Sequence, residues 1–373
     1  MAARHINAPI GKRHHVIRLR TRPDLREGRG VSNPDLRIVP IDPLNRDQVN
    51  GWIRTQRAVT EHDLPGEPLP SPGLQRLRLL LWPDSLDVER YVPVQDGKVV
   101  GALELVMPTQ DNQHLVQLDL EVHPQHRRRG IGTALLEFAE RRTAELGRDT
   151  ILTAAVDSLE HGPRFDHAGQ HFAKARGYKT VDQEIHRRND LTLVGDDELG
   201  RLYADAWEKA AGYELVQWIG DCPDDVIDGY AALCERMYTD PPQGEELDIR
   251  PAEYDAARIR NTEWTLKERA QTQFMTAVRH VESGELAGMS GIVVYPGEEL
   301  HAFQDDTIVE EKHRGHRLGM ILKIANQRLM RKYRPQIRYI HTWNAEANDH
   351  MIAINEAMGY RALCRDLDVQ KKL

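Results

Sequence analysis

The stretch HRRRGIGTALL, residues 126–136, places three arginines beside two glycines immediately before an apolar, helix-forming run. A helix N-terminus already carries partial positive charge and unpaired N–H groups, so arginines are unfavourable there unless an anion lies among them. Glycine removes the Cβ atoms that would keep a phosphate from the backbone, and guanidinium groups add charge-assisted hydrogen bonds. We therefore predict a phosphate-binding loop and helix start formed by Arg127, Arg128, Arg129, Gly130, Ile131, Gly132 and Thr133.

A second copy of this region follows later in the chain. The pattern H-x-x-Q-x-D-x-x-V occurs at residues 114–122 and again, 187 positions further along, at residues 301–309. Because the four matching residues are all separated by the same 187 positions, the chain contains an internal duplication. Because Arg317 stands where the first loop has Gly130, we expect the first loop to bind phosphate more tightly. The predicted second loop consists of Arg314, Gly315, His316, Arg317, Leu318 and Gly319.

Two aspartates occupy equivalent positions ahead of these loops, Asp119 before Val122 and Asp306 before Val309. Because side chains alternate along a strand, Asp119 shares a strand face with Glu121. These three carboxylates are candidates for a general base or for holding a water. A structural role, as a hydrogen-bond anchor inherited by both copies, explains the repeated aspartate equally well.

Strand and helix patterns alternate from about residue 35, in an order that the two halves share. In the first half we predict strands or hairpins at 36–42, 90–108, 114–122, 150–156 and 178–186, and helices at 44–60, 73–90, 131–147 and 168–176. In the second half we predict strands or hairpins at 213–219, 274–295, 301–309 and 337–343, and helices up to about 270, at 319–332 and at 348–358. Asp96-Gly97 and Ser283-Gly284 are expected to form hairpin turns. The fold class is therefore α+β.

The chain is expected to form two domains, residues 33–188 and 213–373, joined by a linker and connecting helix at 189–212. Residues 1–32 form a basic arm, with eight Lys/Arg against two acidic residues in the first 30 positions. We interpret this arm as solvated and partly disordered, or as a segment that binds nucleic acid or another anionic partner.

Bulk composition argues against several classes of protein. The net charge of -8 counts against general nucleic-acid binding, because counterion release needs clustered cationic surface. The three cysteines lack C-x-x-C spacing, so we expect neither a disulfide framework nor a metal site. Since the chain has no long apolar run and no secretory h-region, we expect no membrane association and a cytoplasmic location.

The sequence resembles the GNAT family of acetyl-CoA-dependent N-acetyltransferases in its tandem form. The arrangement V-x-P-x-x-R-R-x-G-I-G at residues 122–132 is similar to the family's CoA-pyrophosphate loop, and NDHMIAINEAMGYR at 348–361 is similar to a later motif that closes over the cofactor arm. The resemblance is strongest over residues 114–178 and 301–360. It implies that each domain has a mixed, mostly antiparallel sheet with a central parallel strand splay and flanking helices.

The resemblance also implies a function. Acetyl-CoA would lie between the splayed strands, and an amine of a small molecule or peptide would attack the thioester directly in a ternary complex. Backbone amides near Leu120, Val122 and Val309 would polarise the acetyl carbonyl. Asn344 and Asn348 are candidate cofactor contacts, although Asn348 could equally cap a helix.

The residues that would supply the proton to the leaving thiolate depart from the family pattern. Many members carry a tyrosine four residues before the glycine of a Gly-Tyr pair, and here Ala173 and Asn355 occupy those positions. The alternative function is therefore a CoA-binding sensor or scaffold in which one or both domains are inactive.

Overall fold

The computed structural model describes residues 28–30 and 33–373, so most of the predicted basic arm lies outside the described residues. The first half contains β1 (Gly28–Gly30), β2 (Asn33–Pro40), α1 (Arg46–Asp63), α2 (Pro72–Arg78), β3 (Leu86–Gln95), β4 (Lys98–Val99), β5 (Gly101–Pro108), β6 (Leu115–Val122), α3 (Ile131–Glu145), β7 (Thr150–Ser158), α4 (Ala168–Ala175) and β8 (Lys179–Asp190). The second half contains α5 (Asp196–Trp207), β9 (Tyr213–Ile219), α6 (Ile227–Arg236), α7 (Ala256–Glu268), β10 (Thr272–His280), β11 (Leu286–Val294), β12 (His301–Val309), α8 (Leu318–Tyr333), β13 (Tyr339–Ala345), α9 (Asp349–Ala357) and β14 (Tyr360–Lys372).

These elements follow the predicted order, with local corrections. Asp96 and Gly97 both have positive φ, at 50° and 71°, as the predicted hairpin turn requires. The helix predicted over 73–90 is wrong beyond Arg78, because Pro83 lacks an N–H and disfavours helix at the residue before it, and strand β3 begins soon afterwards. Residues 189 and 190, at the start of the predicted linker, continue β8 and pair with β13.

The described strands form one sheet in the order β1-β2-β3-β5-β6-β7-β14-β8-β13-β12-β11-β10-β9, with β4 paired to β3. The pairs β6–β7 and β12–β13 are parallel, and the other pairs of neighbouring strands are antiparallel. This arrangement confirms the α+β class, the mixed sheet and its duplicated parallel centre. Among the described residues, no helix combines the length and hydropathy needed to cross a membrane.

The two halves share their last strands. Strand β14 lies between β7 and β8, while β8 lies between β14 and β13. Leu367 and Val369 of β14 are buried in the core of the first half, whereas Tyr360, at the start of the same strand, is buried in the second half. The sequence predictions omit β14, because its charged residues interrupt the apolar alternation and its partners are distant in sequence.

This shared strand predicts that the core of the first half depends on the C-terminus of the chain. Leu367→Ala should lower the free energy of unfolding by about 2–5 kcal/mol, because Leu367 is only 5% exposed. Hydrogen exchange should show weaker protection in strands of the first half as well as in β14. Leu373→Ala is the matched control, since Leu373 is 46% exposed. Equal urea midpoints for the two variants would contradict the prediction.

Candidate functional site

In each half the central parallel strands pair at one end and separate at the other. Strands β6 and β7 pair as far as Gln117 and Leu152, and β12 and β13 pair as far as Phe303 and His341. Beyond these positions the described strands are no longer bridged to each other. Alternate backbone amides within residues 118–122 and 304–309, those that do not point to β5 or β11, therefore border two gaps that are open to a ligand.

Strand β12 contains a bulge that β6 lacks. Ser290 pairs with Thr307, but Ile292 pairs with Gln304, so Asp305 and Asp306 together lie opposite Gly291. A Cβ atom at Gly291 would lie 2.9 Å from Met275 Sδ and 3.2 Å from Asp305 Cβ, which explains the glycine. After the bulge, β12 pairs with β11 as β6 pairs with β5, so Val309 is opposite Gly288 as Val122 is opposite Gly101. Before the bulge, the pairing of β12 with β11 is shifted by one residue relative to the first half. Such bulges redirect side chains beside functional sites.

The two loops after β6 and β12 have the same backbone course. A single 3₁₀ turn follows each strand, and two residues in each loop then adopt positive φ. They are Arg128 and Gly130 in the first loop, at 62° and 79°, and Gly315 and Arg317 in the second, at 88° and 55°. Each loop thus uses one arginine and one glycine in left-handed positions, in opposite order. The missing glycine at residue 317 leaves the backbone path unchanged.

The N-termini of α3 and α8 are left open by these loops. Gly130 and Arg317 are the N-cap residues, and neither helix start receives a side-chain cap hydrogen bond. By contrast, α1, α7 and α9 are capped by Asn45, Asp255 and Asn348. The first amides of α3 and α8 therefore keep the donors that an anion requires.

Arg127 holds the first loop in place. Its Nε donates to the Val122 carbonyl at 3.2 Å, and its terminal nitrogens bind Asp63 at 2.6 and 2.8 Å and Asp166 at 2.9 Å. The guanidinium is therefore committed to the protein in this structure. Arg128 and Arg129, which are exposed, extend from the loop without this restraint.

Arg314 repeats this arrangement in the second loop. Its Nε donates to the Val309 carbonyl at 3.2 Å, and its guanidinium binds Asp240 at 3.2 Å. His316 contacts the Lys209 carbonyl through Nδ1 at 3.0 Å. Exposed Arg317 is therefore the second loop's counterpart of the exposed first-loop arginines.

The other predicted loop residues pack inward. Ile131 and Leu318 are buried, and Thr133 Oγ1 accepts a hydrogen bond from Arg176 at 2.6 Å. A Cβ atom at Gly132 would lie 3.6 Å from the Phe172 ring, and one at Gly319 would lie 3.0 Å from Ile354 Cδ1. These glycines therefore allow α4 and α9 to approach the starts of α3 and α8. A side chain would have less space at Gly319 than at Gly132.

The candidate carboxylates have raised pKa values. Burial, with the nearby charge of Glu104, raises the pKa of half-buried Asp119. Burial raises the pKa of Glu121 to about 7 and that of Asp306 to about 8, and Asp305 adds to the latter shift. Asp306 is itself an exposed residue on the wall of a cavity, so contact with solvent opposes this shift. A carboxyl with a pKa near 7 or 8 is matched to proton transfer near neutral pH.

Both strand gaps border one cavity of about 360 Å³. Its wall includes residues 117–119 and 152–154 from the first gap, and 304–307 and 342–345 from the second. Asp119 and Asp306 therefore face the same space, whereas Glu121 lies outside its wall. Lys323 is the one Lys or Arg that the described wall contains. The wall's carboxylates are Asp119, Asp182, Glu184, Glu263, Asp305, Asp306, Asp366 and Asp368.

Lys323 is a cavity residue that the sequence analysis missed. It is 1% exposed, its Nζ donates to Gln304 Oε1 at 3.2 Å, and Nζ lies 5.0 Å from the centre of the Tyr360 ring. Burial lowers the pKa of Lys323 to about 7. Lys323, Asn326 and Gln327 are polar residues on the buried side of α8. Polar residues at buried helix positions are the sequence feature that could have indicated a site there.

The predicted asparagines lie where β13 meets α9. Asn348 Oδ1 accepts from the Met351 amide at 3.2 Å, which confirms its alternative role as a helix cap, and Asn348 also lines the cavity. Asn344 Oδ1 accepts from Asn355 Nδ2 at 2.6 Å. Asn355 and Ala173, at the positions where a tyrosine was sought, are both buried. Neither position carries a phenol that could protonate a thiolate.

Comparisons with known proteins agree with this geometry. Residues 58–178 match the family model described as Acetyltransferase (GNAT) family. A tandem GNAT protein from the clavulanic acid biosynthesis pathway, solved without AcCoA, is 28% identical with a TM-score of 0.76, over 90% of this chain and 98% of that chain. A GCN5-related N-acetyltransferase from Sphaerobacter thermophilus shares the fold, with 14% identity and a TM-score of 0.61, over 91% of this chain and 96% of that chain. No curated protein sequence matches the chain. Residues 58–178 therefore match the GNAT family of acetyltransferases, and the chain as a whole is similar to a tandem GNAT protein.

Proposed function

We propose that this protein transfers an acetyl group from acetyl-CoA to an amine of a small molecule or peptide, by direct attack in a ternary complex. The observation that carries the proposal is that both strand gaps border one cavity lined by carboxylates. An aliphatic amine is a cation at neutral pH, and a cavity with this charge concentrates cations. We also propose that the two domains are residues 33–188 and 213–373, with β14 completing both.

The loops fit the pyrophosphate of acetyl-CoA. Uncapped amides at the starts of α3 and α8 supply donors, and exposed Arg128, Arg129 and Arg317 supply positive charge. The free strand amides beyond Gln117 and Phe303 are placed to stabilise negative charge on an acetyl oxygen. We expect each half to bind one molecule of acetyl-CoA.

Asp119 and Asp306 are proposed to accept the proton from the bound ammonium, because both line the cavity and both have raised pKa values. In place of the missing family tyrosine, the phenols of Tyr238 and Tyr254 line the cavity wall. Burial raises the pKa of each, so each keeps its proton at neutral pH and can donate it to the leaving thiolate.

The proposal predicts a preference for acceptors with two cationic groups. We expect 1,4-diaminobutane to have a kcat/KM about 10-fold or more above that of N-acetyl-1,4-diaminobutane, which has similar length and one fewer cation. CoA release measured at increasing salt should show the advantage falling, because salt screens the cavity charge. Equal kcat/KM for the two amines would contradict the role of the carboxylates.

Calorimetry with acetyl-CoA separates this function from its alternative. Binding without CoA release from any amine would favour a CoA-binding sensor or scaffold, which the residues Ala173 and Asn355 also permit. No binding of acetyl-CoA would overturn both functions.

A further inference from the structure

Three imidazoles form a line through the centre of the sheet. His301 Nδ1 lies 2.7 Å from His341 Nε2, and His341 Nδ1 lies 2.9 Å from His186 Nε2. The ring centres are 5.0 and 5.1 Å apart in the two pairs. In each pair the distance between ring centres exceeds the distance between the two nitrogens by about two ring radii. Both nitrogens therefore lie near the line that joins the ring centres and point at each other. Both contacts therefore have the geometry of N–H···N hydrogen bonds.

The same geometry argues against a shared metal ion at this cluster. Glu67 Oε2 lies 3.4 Å from His341 Nδ1, and one ligand atom each from Glu67, His186 and His341 would fit within a metal site. Ligand lone pairs must converge on the ion, however, and in a zinc site each nitrogen lies about 2.0–2.1 Å from the metal. Two imidazole nitrogens that face each other at 2.9 Å leave no room for an ion between them.

The environment keeps the inner two rings neutral. Burial, with the charge of Arg188, lowers the pKa of His186 to about 3. Burial, with His186, His301 and Arg188 nearby, lowers the pKa of His341 to about 2. A neutral imidazole has one N–H donor and one acceptor nitrogen, so each ring can accept a proton on one side while it releases one on the other.

The line connects the cavity with a partly exposed residue. At the inner end, His186 Nδ1 lies 3.6 Å from Cys364 Sγ, and Cys364 Sγ lies 3.8 Å from Asp366 Oδ1. Asp366 lines the acidic cavity. At the outer end His301 is half-buried, with Glu298 near its backbone amide. Among the described residues, the charged or titratable groups that face the line are Glu67, Arg188, Glu298, Tyr339, Cys364 and Asp366.

We propose that Asp366, Cys364, His186, His341 and His301 relay the proton of the acceptor ammonium from the cavity to solvent; this inference rests on the proposed acetyl transfer. After Asp119 or Asp306 has accepted the proton from the ammonium, the Asp366 carboxylate takes it across the cavity that all three line. Asp366 then passes a proton to the Cys364 sulfur as the thiol proton moves to His186 Nδ1. His186 Nε2–H is then transferred to His341 Nδ1, and His341 Nε2–H to His301 Nδ1. His301 releases its Nε2 proton to solvent, and no charge stays on the line.

His341→Gln tests the relay, because glutamine fills similar space and hydrogen-bonds but cannot exchange tautomers. With 1,4-diaminobutane as acceptor, kcat should fall about 10-fold or more near pH 7, while the KM for acetyl-CoA changes less than two-fold. The loss should shrink as pH rises, since more of the amine is then already unprotonated. The control is His161→Gln, an exposed histidine on the loop after β7.

A second variant and a spectroscopic readout keep the relay testable if His341→Gln fails to fold. His301→Gln, at the half-buried end, should show the same pH-dependent loss. Side-chain ¹⁵N spectra of the wild type should show neutral His186 and His341 between pH 5 and 8, whether or not any amine is acetylated. Wild-type protein that acetylates no amine contradicts the proposed function, and the spectra still test the hydrogen-bonded line.

Three results would overturn the relay. These are a kcat within two-fold of wild type in both histidine variants, a loss that is independent of pH, or an imidazolium at residue 341 near pH 7.

Discussion

Asp306→Asn is expected to lower kcat by about 10²-fold or more while acetyl-CoA binding stays unchanged, because loss of a general base has an effect of this size. Asp306 lies in the β12 bulge, lines the shared cavity, and has a pKa raised to about 8 by burial and by Asp305. The substitution keeps the shape of the side chain and removes its ability to accept a proton. Steady-state CoA release measures kcat, and calorimetry measures acetyl-CoA binding.

The raised pKa also predicts the pH dependence. A base must be ionised to work, so wild-type kcat should rise as pH increases through about 8, and Asp306→Asn should lack this rise. The stability effect has the opposite sign. Because folding raises this pKa, the protonated group favours the folded state at low pH, and that contribution is lost as pH rises through about 8. Asp306→Asn should therefore remove a decline in stability that runs from about pH 4, where the aspartate of the unfolded chain ionises, to about pH 8.

Two further variants decide what the repeated aspartates do. Asp305→Asn is the matched control, because Asp305 lies in the same bulge and its Oδ2 accepts a hydrogen bond from Gln273 Nε2 at 3.5 Å. Asp119→Asn tests the equivalent position of the first half. If Asp119→Asn and Asp306→Asn both leave kcat unchanged across pH, the two aspartates have a structural role, and the general base lies elsewhere in the cavity.

Gly130→Asp is expected to abolish the tighter of two acetyl-CoA binding events. Gly130 has φ of 79° and begins α3, and a Cβ atom added there would meet no other atom within 4 Å. Aspartate therefore adds negative charge beside the free amides without a clash. Repulsion of the pyrophosphate should weaken this site about 10²-fold or more. Arg317→Asp should do the same to the second site. Calorimetry should then give two sites for the wild type and one for each variant.

The first site is predicted to be the tighter one, because exposed Arg128 and Arg129 both flank its open helix start. In the second loop exposed Arg314 binds Asp240, which leaves Arg317 for the anion. Gly147→Asp is the control, since Gly147 also has positive φ, at 72°, with no neighbouring atom within 4 Å, but lies at the other end of α3. Gly319→Asp is less informative, because its side chain would press on Ile354. Loss of the tightest event in Arg317→Asp alone would reverse the order of the sites. If both acetyl-CoA binding events were unchanged in Gly130→Asp and in Arg317→Asp, the two loops would be excluded as the binding sites.

The sequence by itself determined the features that depend on neighbouring residues. Arginine and glycine at a helix start predict an anion loop from local electrostatics, and Asp96-Gly97 predicts a turn from backbone sterics. The repeated pattern around Asp119 and Asp306 revealed the duplication, and the loop pattern at residues 122–132 carried the resemblance to the GNAT family. In both loops the backbone follows the same course, including the position where arginine replaces glycine.

The tertiary structure alone decided which distant residues meet. β14 completes the first half through hydrogen bonds to β7 and β8, and no local pattern encodes partners that lie far along the chain. The shared cavity depends on both strand gaps, and its charge is a sum over elements from both halves. His186, His301 and His341 stand on three strands, so their line exists only in the assembled sheet. Burial, which shifts the pKa values of Asp306 and Lys323, likewise depends on packing against those elements.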